Sequence, residues 1–168
     1  MNRERHTMNT TQPRIVRLHE RERFALGGDL YSMIAREPQT EGAFAAYETV
    51  VPPGHGAMTH IHSRESESFL MFDGRLSVRV GERAIELSAG DFISFPPGCA
   101  YSFSNETGNS ARFLTILVPG GLDDFVAEVG QAVDADAVNA HPTPASIGRM
   151  VRRARDYGVE YPGHAFDD

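Results

Sequence analysis

Apolar positions along this chain fall into two rhythms. From about Ile15 to Val118 they come in short apolar or alternating runs, among them "DLYSMIAR", "AMTHIH", "SFLMF", "RLSVRV", "DFISF" and "RFLTILV". Gly, Pro and Asp punctuate these runs. Successive side chains on a strand point to opposite faces, so alternation of this length is a strand signal. Many short strands at regular spacing predict a sandwich or barrel. Asp73-Gly74, between two such runs, reads as a tight hairpin turn. Val80-Gly81-Glu82 and Ala89-Gly90-Asp91 mark further turns. After Pro119 the period changes. Leu122, Phe125, Val126 and Val129 have helical spacing, and residues 134–142 read as a loop. Thr143-Pro144 reads as an N-cap followed by an N1 proline. Ile147, Met150, Val151 and Ala154 then line one face of a second helix. The arginines at 149, 152, 153 and 155 near its C-terminal end oppose the helix dipole and read as a solvated face. The pattern divides the chain into a polar, disordered segment at 1–13, a β-barrel domain at 14–119 and a helical tail at 120–168 packing on the barrel.

Composition narrows the class. A chain of 168 residues suits one domain with a sizeable core. The formal net charge is −7, and no basic patch dominates, which argues against nucleic acid and anionic membrane as partners. All 16 basic residues are arginine, which excludes a lysine Schiff base. Cys99 is the sole cysteine; its small and apolar neighbours make it a buried, inert thiol, and no intramolecular disulfide can form. The polar N-terminus lacks the apolar core of a secretory signal, and no apolar run reaches membrane-spanning length. The expected setting is the cytoplasm.

The candidate chemistry lies in "PPGHGAMTHIHSRESESFLMFDG", from Pro52 to Gly74. His60 and His62 are one residue apart and share a face of a strand, so both imidazoles can reach one ion. Glu67, a few residues later, can add a carboxylate if the chain stays in the same sheet. Two histidines and one carboxylate with open positions suit Fe, Zn, Ni, Co or Mn. A bare His-x-His pair is more often two exposed histidines on an edge strand. His55, in the loop ahead of the pair, reads as a solvated loop residue, and Arg64, Glu65 and Ser66 read as turn residues between the ligands.

The wider spacing is more specific. Gly54, His60, His62, Glu67 and Gly74 follow the pattern G-x5-H-x-H-x4-E-x6-G. Gly90, Pro96, Gly98 and Asn105 follow G-x5-P-x-G-x2-H-x3-N, except that Tyr101 stands where the histidine belongs. This pair of motifs resembles the cupin superfamily over roughly Phe44 to Val118. The layout of strands, one core and a helical tail ending in "RARDYGVEYPG" is similar to single-domain quercetin-dioxygenase-like cupins. That tail, by this reading, carries no chemistry.

The resemblance implies an all-β core, a double-stranded β-helix or jelly-roll barrel, with a C-terminal helical tail. It implies a divalent metal held by His60, His62 and Glu67, with Tyr101 in the last ligand's place. Tyr101 could bind as a phenolate, stay neutral beside a metal-bound water or substrate, or point away. The neutral role is favoured, because an unperturbed phenol has a pKa of about 10. Catalytic roles fall to Glu67, as proton acceptor, and to Tyr101. Phe69, Met71 and Phe103 share strand parity with the ligands and form the expected substrate pocket, which suits an apolar or aromatic small molecule. The leading activity is an oxygenase acting on a phenolic or enolic substrate, flavonol-like or polyketide-like. The second is a non-redox cyclase, isomerase, lyase or decarboxylase using Tyr101 or Glu67 as acid or base; the third is a small-molecule-binding module without catalysis. Pairing through a barrel edge predicts a homodimer.

Overall fold

The computed structural model describes residues 13–134 and 142–163. The expected disorder at 1–13 and the expected loop at 134–142 fall almost wholly outside that range.

Ten strands build the core: β1 (Arg23–Leu26), β2 (Asp29–Ala35), β3 (Ala45–Val51), β4 (Gly56–His62), β5 (Ser66–Asp73), β6 (Arg75–Val80), β7 (Arg83–Ser88), β8 (Phe92–Phe95), β9 (Ala100–Ser104) and β10 (Ala111–Val118). A single turn of helix, α1 (Glu37–Thr40), links β2 to β3. The predicted alternation is real: Ala111, Phe113, Thr115 and Leu117 of β10 are buried, while the residues between them are not. The tail adds α2 (Leu122–Val129), β11 (Gln131–Ala132), α3 (Pro144–Ala154) and β12 (Val159–Glu160).

The strands form a seven-stranded sheet, in the order β11-β1-β2-β3-β10-β5-β8, and a five-stranded sheet, β12-β4-β9-β6-β7. These are the two layers of the expected double-stranded β-helix. All recorded pairings between strands are antiparallel. Asp73-Gly74 is not a hairpin. It carries the chain from β5 in one sheet to β6 in the other. Gly74 sits at φ 75°, and a Cβ there would lie 2.5 Å from the Ser110 carbonyl oxygen, so the corner requires glycine. The Gly81-Glu82 turn does join a hairpin, β6 to β7.

The tail is part of the core rather than an appendage. Leu122, Phe125, Val126 and Val129 of α2 and Met150, Val151 and Ala154 of α3 pack in one buried cluster with Phe24, Met33 and Tyr47. Thr143 caps α3 as its sequence predicts, accepting from the Ser146 amide at 3.1 Å. Asp123, fully buried, accepts from Arg36 Nε at 3.3 Å and from the Glu37 amide at 3.0 Å, which ties α2 to the barrel. Two of the arginines read as a solvated face have partners. Arg149 donates to the Glu128 and Val129 carbonyls at the end of α2, and Arg153 to the Glu128 carboxylate. They bind α3 to α2.

The second core cluster fills the barrel with Phe69, Phe95, Tyr101, Phe103 and Phe113. Beside it Asn105 is buried completely and ties the loops together. Its amide donates to the Val51 and Asn109 carbonyls, and its carbonyl accepts from the Thr107 amide and hydroxyl. Cys99 is only partly buried.

Candidate metal centre

A bulge sets up the site. Ala57 lies opposite Phe103 and His60 opposite Tyr101, so β4 spends three residues where β9 spends two. The extra residue re-aims β4. Ala57 and His60 would otherwise face opposite sides of the sheet. His62 then follows on the same side as His60, and Glu67 enters from β5 in the facing sheet.

One ligand atom from each of His60, His62 and Glu67 lies within 4.8 Å of the other two. All three are buried, at 6%, 5% and 6% exposure, which removes the reading of two exposed edge histidines. His60 Nδ1 lies 2.8 Å from the Met58 carbonyl oxygen. A carbonyl only accepts, so Nδ1 carries the proton and the Nε2 lone pair is free for an ion. Burial, with His62 adding to it, lowers the His60 pKa to about 4, so this ring is neutral near pH 7. His62 differs. Burial opposes its charge, but Glu67 and Glu65 outweigh burial and raise its pKa. Its Nε2 lies 3.4 Å from Glu67 Oε2, and neither ring nitrogen has a hydrogen-bond partner. Burial raises the Glu67 pKa, which His62 and a Tyr47 hydrogen bond pull back.

These groups fit a divalent cation. Buried polar groups without partners cost about 1–3 kcal/mol each. An ion among His60 Nε2, His62 Nε2 and the Glu67 carboxylate would satisfy His62 Nε2, which the protein leaves without a hydrogen-bond partner. The donor set of two imidazoles and one carboxylate is one that transition metals accept.

Glu65 belongs to the site, and turn residues are not expected to be buried. It is 4% exposed, with Oε2 3.9 Å from His62 Nδ1. That is beyond a hydrogen bond and within electrostatic reach. It stands on the Nδ1 side of the His62 ring, where its charge raises the His62 pKa and where a small shift would let it hydrogen-bond and orient the ring.

Tyr101 occupies the expected place on β9. Its ring lies 4.5 Å from the His60 ring and stacks on Phe95 at 3.7 Å. It is 1% exposed, and its hydroxyl has no hydrogen-bond partner. The ring is a wall of the aromatic cluster beneath the histidines.

A cavity of about 180 Å³ opens onto the triad. Phe69 and Phe103 line it, as expected. Met71 does not; it is packed in the aromatic cluster with Tyr101. Sequence reasoning missed most of the remaining wall. The tail supplies Phe125, Ile147 and Met150, and Tyr161 beyond β12, whose ring lies 5.9 Å from His60. β12 pairs with the ligand strand itself, Val159 opposite His62. The tail therefore carries part of the site. The seven-stranded sheet supplies Asp29, Tyr31, Tyr47, Thr49 and Thr115. Their only sequence signal was polar residues recurring at inward positions of predicted strands.

Replacing Glu65 by Ala should weaken metal binding about 10–100-fold while leaving one site per chain. Titration of the metal-free variant with Co(II), followed by its visible absorbance, measures this. Wild-type affinity in the variant would return Glu65 to the status of a buried turn residue.

A cupin domain model matches residues 47–117. The chain is 22% identical over 140 residues to quercetin 2,3-dioxygenase of Bacillus subtilis, covering 83% of this chain but only 41% of that enzyme's length. It is 27% identical over 140 residues to the protein named polyketide synthase CurC of Streptomyces cyaneus, covering 80% of this chain and 90% of that one. The polyketide cyclase RemF of Streptomyces resistomycificus has a similar fold, with a TM-score of 0.57 at 16% identity, over 79% of this chain and 89% of that one. Among the described residues no helix is long and apolar enough to cross a membrane. The match over residues 47–117, the paired motifs inside it and the two-layered barrel show that this part of the chain forms a cupin domain.

Proposed function

We propose that this protein is a metal-dependent oxygenase acting on a small phenolic or enolic substrate. The observation that carries the reading is the convergence of His60, His62 and Glu67 on one point at the end of a mostly apolar cavity. Two histidines and one carboxylate leave coordination positions open, the arrangement that serves non-heme iron oxygenases. The similarity to a quercetin 2,3-dioxygenase supports the same class. When bound, the metal supplies a Lewis acid for the substrate oxygen and an open position for O₂.

The chain's own residues do the rest. Glu67 accepts the proton of the substrate hydroxyl; burial makes it a better acceptor than an exposed carboxylate. Tyr47 favours the charged form of Glu67 and so offsets part of the effect of burial. Tyr31, Tyr47 and Tyr161 are pushed above the ordinary phenol range, chiefly by burial, and so stay protonated as hydrogen-bond donors. Tyr101 brings its ring to 4.5 Å from the His60 ring without lining the cavity, so any part it takes in the chemistry acts through the histidines. The helical tail keeps water from the reacting face. The cavity is smaller than the range of about 300–1,000 Å³ usual for drug-sized ligands, so the substrate has one or two rings.

A second reading is a non-redox cyclase, isomerase, lyase or decarboxylase. The phenols that surround the triad favour it, because they offer protons rather than electrons. Similarity to the protein named polyketide synthase CurC is consistent with it.

Oxygen uptake decides between them. Metal-loaded protein should consume O₂ with substrate and stop under anaerobic conditions. Turnover without O₂ sinks the oxygenase. In that case Tyr101→Phe should lower kcat at least tenfold with metal content unchanged, and full activity in the variant would remove Tyr101 from the chemistry.

Assembly as a homodimer is part of this proposal. β8 is an edge strand of the seven-stranded sheet, and its Phe92 is 61% exposed. Light scattering should give twice the chain mass of 18.5 kDa. A single-chain mass would refute the dimer and leave the site intact.

A further inference from the structure

The cavity has two unlike walls. Its lid, made by α2, α3 and Met58, is apolar. Its other wall is the inner face of the seven-stranded sheet, where polar Asp29, Tyr47, Thr49, Glu67 and Thr115 are interleaved with Phe69 and Phe113. Most of these groups serve one another. Thr49 and Thr115 share a hydrogen bond at 3.0 Å, and Tyr47 favours the charged form of Glu67.

Asp29 is the exception. It is the first residue of β2, directly after the Gly27-Gly28 turn, and Leu26 lies opposite it across the β1–β2 hairpin. It is 2% exposed and lines the cavity, yet its Oδ1 has no hydrogen-bond partner. Burial alone raises its pKa well above the ordinary carboxyl range. A carboxyl at this depth is costly unless something uses it.

Its position is also informative. Tyr31 is two residues further on the same face, about 6.6 Å along the strand. The Tyr31 hydroxyl feels the charges of both Asp29 and Glu67. Tyr31 packs edge-on against Tyr47, with ring centroids 5.5 Å apart, and Tyr47 favours the charged form of Glu67. A polar track therefore runs along this wall from Glu67 through Tyr47 and Tyr31 to Asp29. Glu67 lies on β5 and Asp29 on β2, with β3 and β10 between them, so the triad and the unpartnered Asp29 Oδ1 line the cavity from well-separated strands.

We propose that Asp29 fixes the far end of the substrate, taking an alcohol or phenol hydroxyl on a planar ring whose opposite edge sits at the His60–His62–Glu67 cluster. Asp29 is then the specificity residue of the cavity. It selects ring compounds oxygenated at both ends over those oxygenated at one. The inference rests on the metal-centre reading for the near end and adds the far end to it. A site built to hydrogen-bond a hydroxyl rejects the analogue without it, because its own buried group is then left without a partner.

Kojic acid and allomaltol test this. Both are hydroxypyranones with the same metal-chelating hydroxyl and ketone. They differ only at the far end of the ring, where kojic acid has a hydroxymethyl and allomaltol a methyl. Calorimetric titration of the Zn(II)-loaded protein should give at least tenfold tighter binding of kojic acid. In Asp29→Leu the ratio should fall to near one, with metal content unchanged and allomaltol binding as well or better. Asp29→Asn, which keeps the shape and a hydrogen-bonding group, should retain at least threefold preference and covers the case in which the leucine variant does not fold. Equal affinity of the wild type for both compounds overturns the proposal, and so does an undiminished preference in Asp29→Leu; both leave the metal centre standing. A protein that takes up zinc but binds neither compound removes the far-end assignment together with the small-ring substrate. One that takes up no zinc overturns the metal-centre reading, and with it this inference.

Discussion

Unpaired polar groups in a dry interior are the constraint on which this structure turns. The barrel buries His62 with both ring nitrogens unserved, Glu67 3.4 Å away, and the Tyr101 hydroxyl without a partner. In an apolar core such groups are individually destabilising, by about 1–3 kcal/mol each. A fold tolerates them where a ligand completes them. His60 makes the same point in reverse: its Nδ1 is committed to the Met58 carbonyl, which leaves the other nitrogen directed to a different task. The protein has fixed the tautomer before any ion arrives.

The tail supplies much of the apolar wall of the cavity, through Leu122, Phe125, Val126, Ile147 and Met150 of α2 and α3. β12 then pairs with β4 alongside His62, so the segment after α3 is fastened to the ligand strand by backbone hydrogen bonds. Ser63 reinforces the attachment, its amide and hydroxyl both donating to the Gly158 carbonyl at 2.8 Å. Loosening the tail would admit water and raise the local dielectric, weakening the electrostatic interactions of the triad.

How much of this was legible depended on how local the signal was. His60 and His62 could be read from strand parity, which places i and i+2 together; Glu67 followed only from the motif spacing, and it meets them from the facing sheet rather than from their own. The helices of the tail could be read because Thr143-Pro144 and the apolar spacing act within a few residues. Asp73-Gly74 was misread because its glycine meets a steric demand from Ser110, distant in sequence, which a turn pattern cannot reveal. Glu65 looked like a turn residue, since acidic residues next to turns are usually exposed; its burial comes from its placement behind His62. Asp29 and Tyr161 reach the cavity only because the hairpin and the tail fold over it. Nothing near them in sequence announces that. The replacement at Tyr101 was visible at once, but its stacking on Phe95 was not.

The central claim is that three buried side chains hold one metal ion. Elemental analysis of the purified chain after loading with Fe(II), Co(II), Ni(II) or Zn(II), alongside a His62→Ala variant treated the same way, tests it most directly. The account predicts close to one ion per wild-type chain and near none in the variant, with the variant still folded by circular dichroism. A wild-type chain that stays empty with all four metals, or a variant that loads as fully as the wild type, would contradict it.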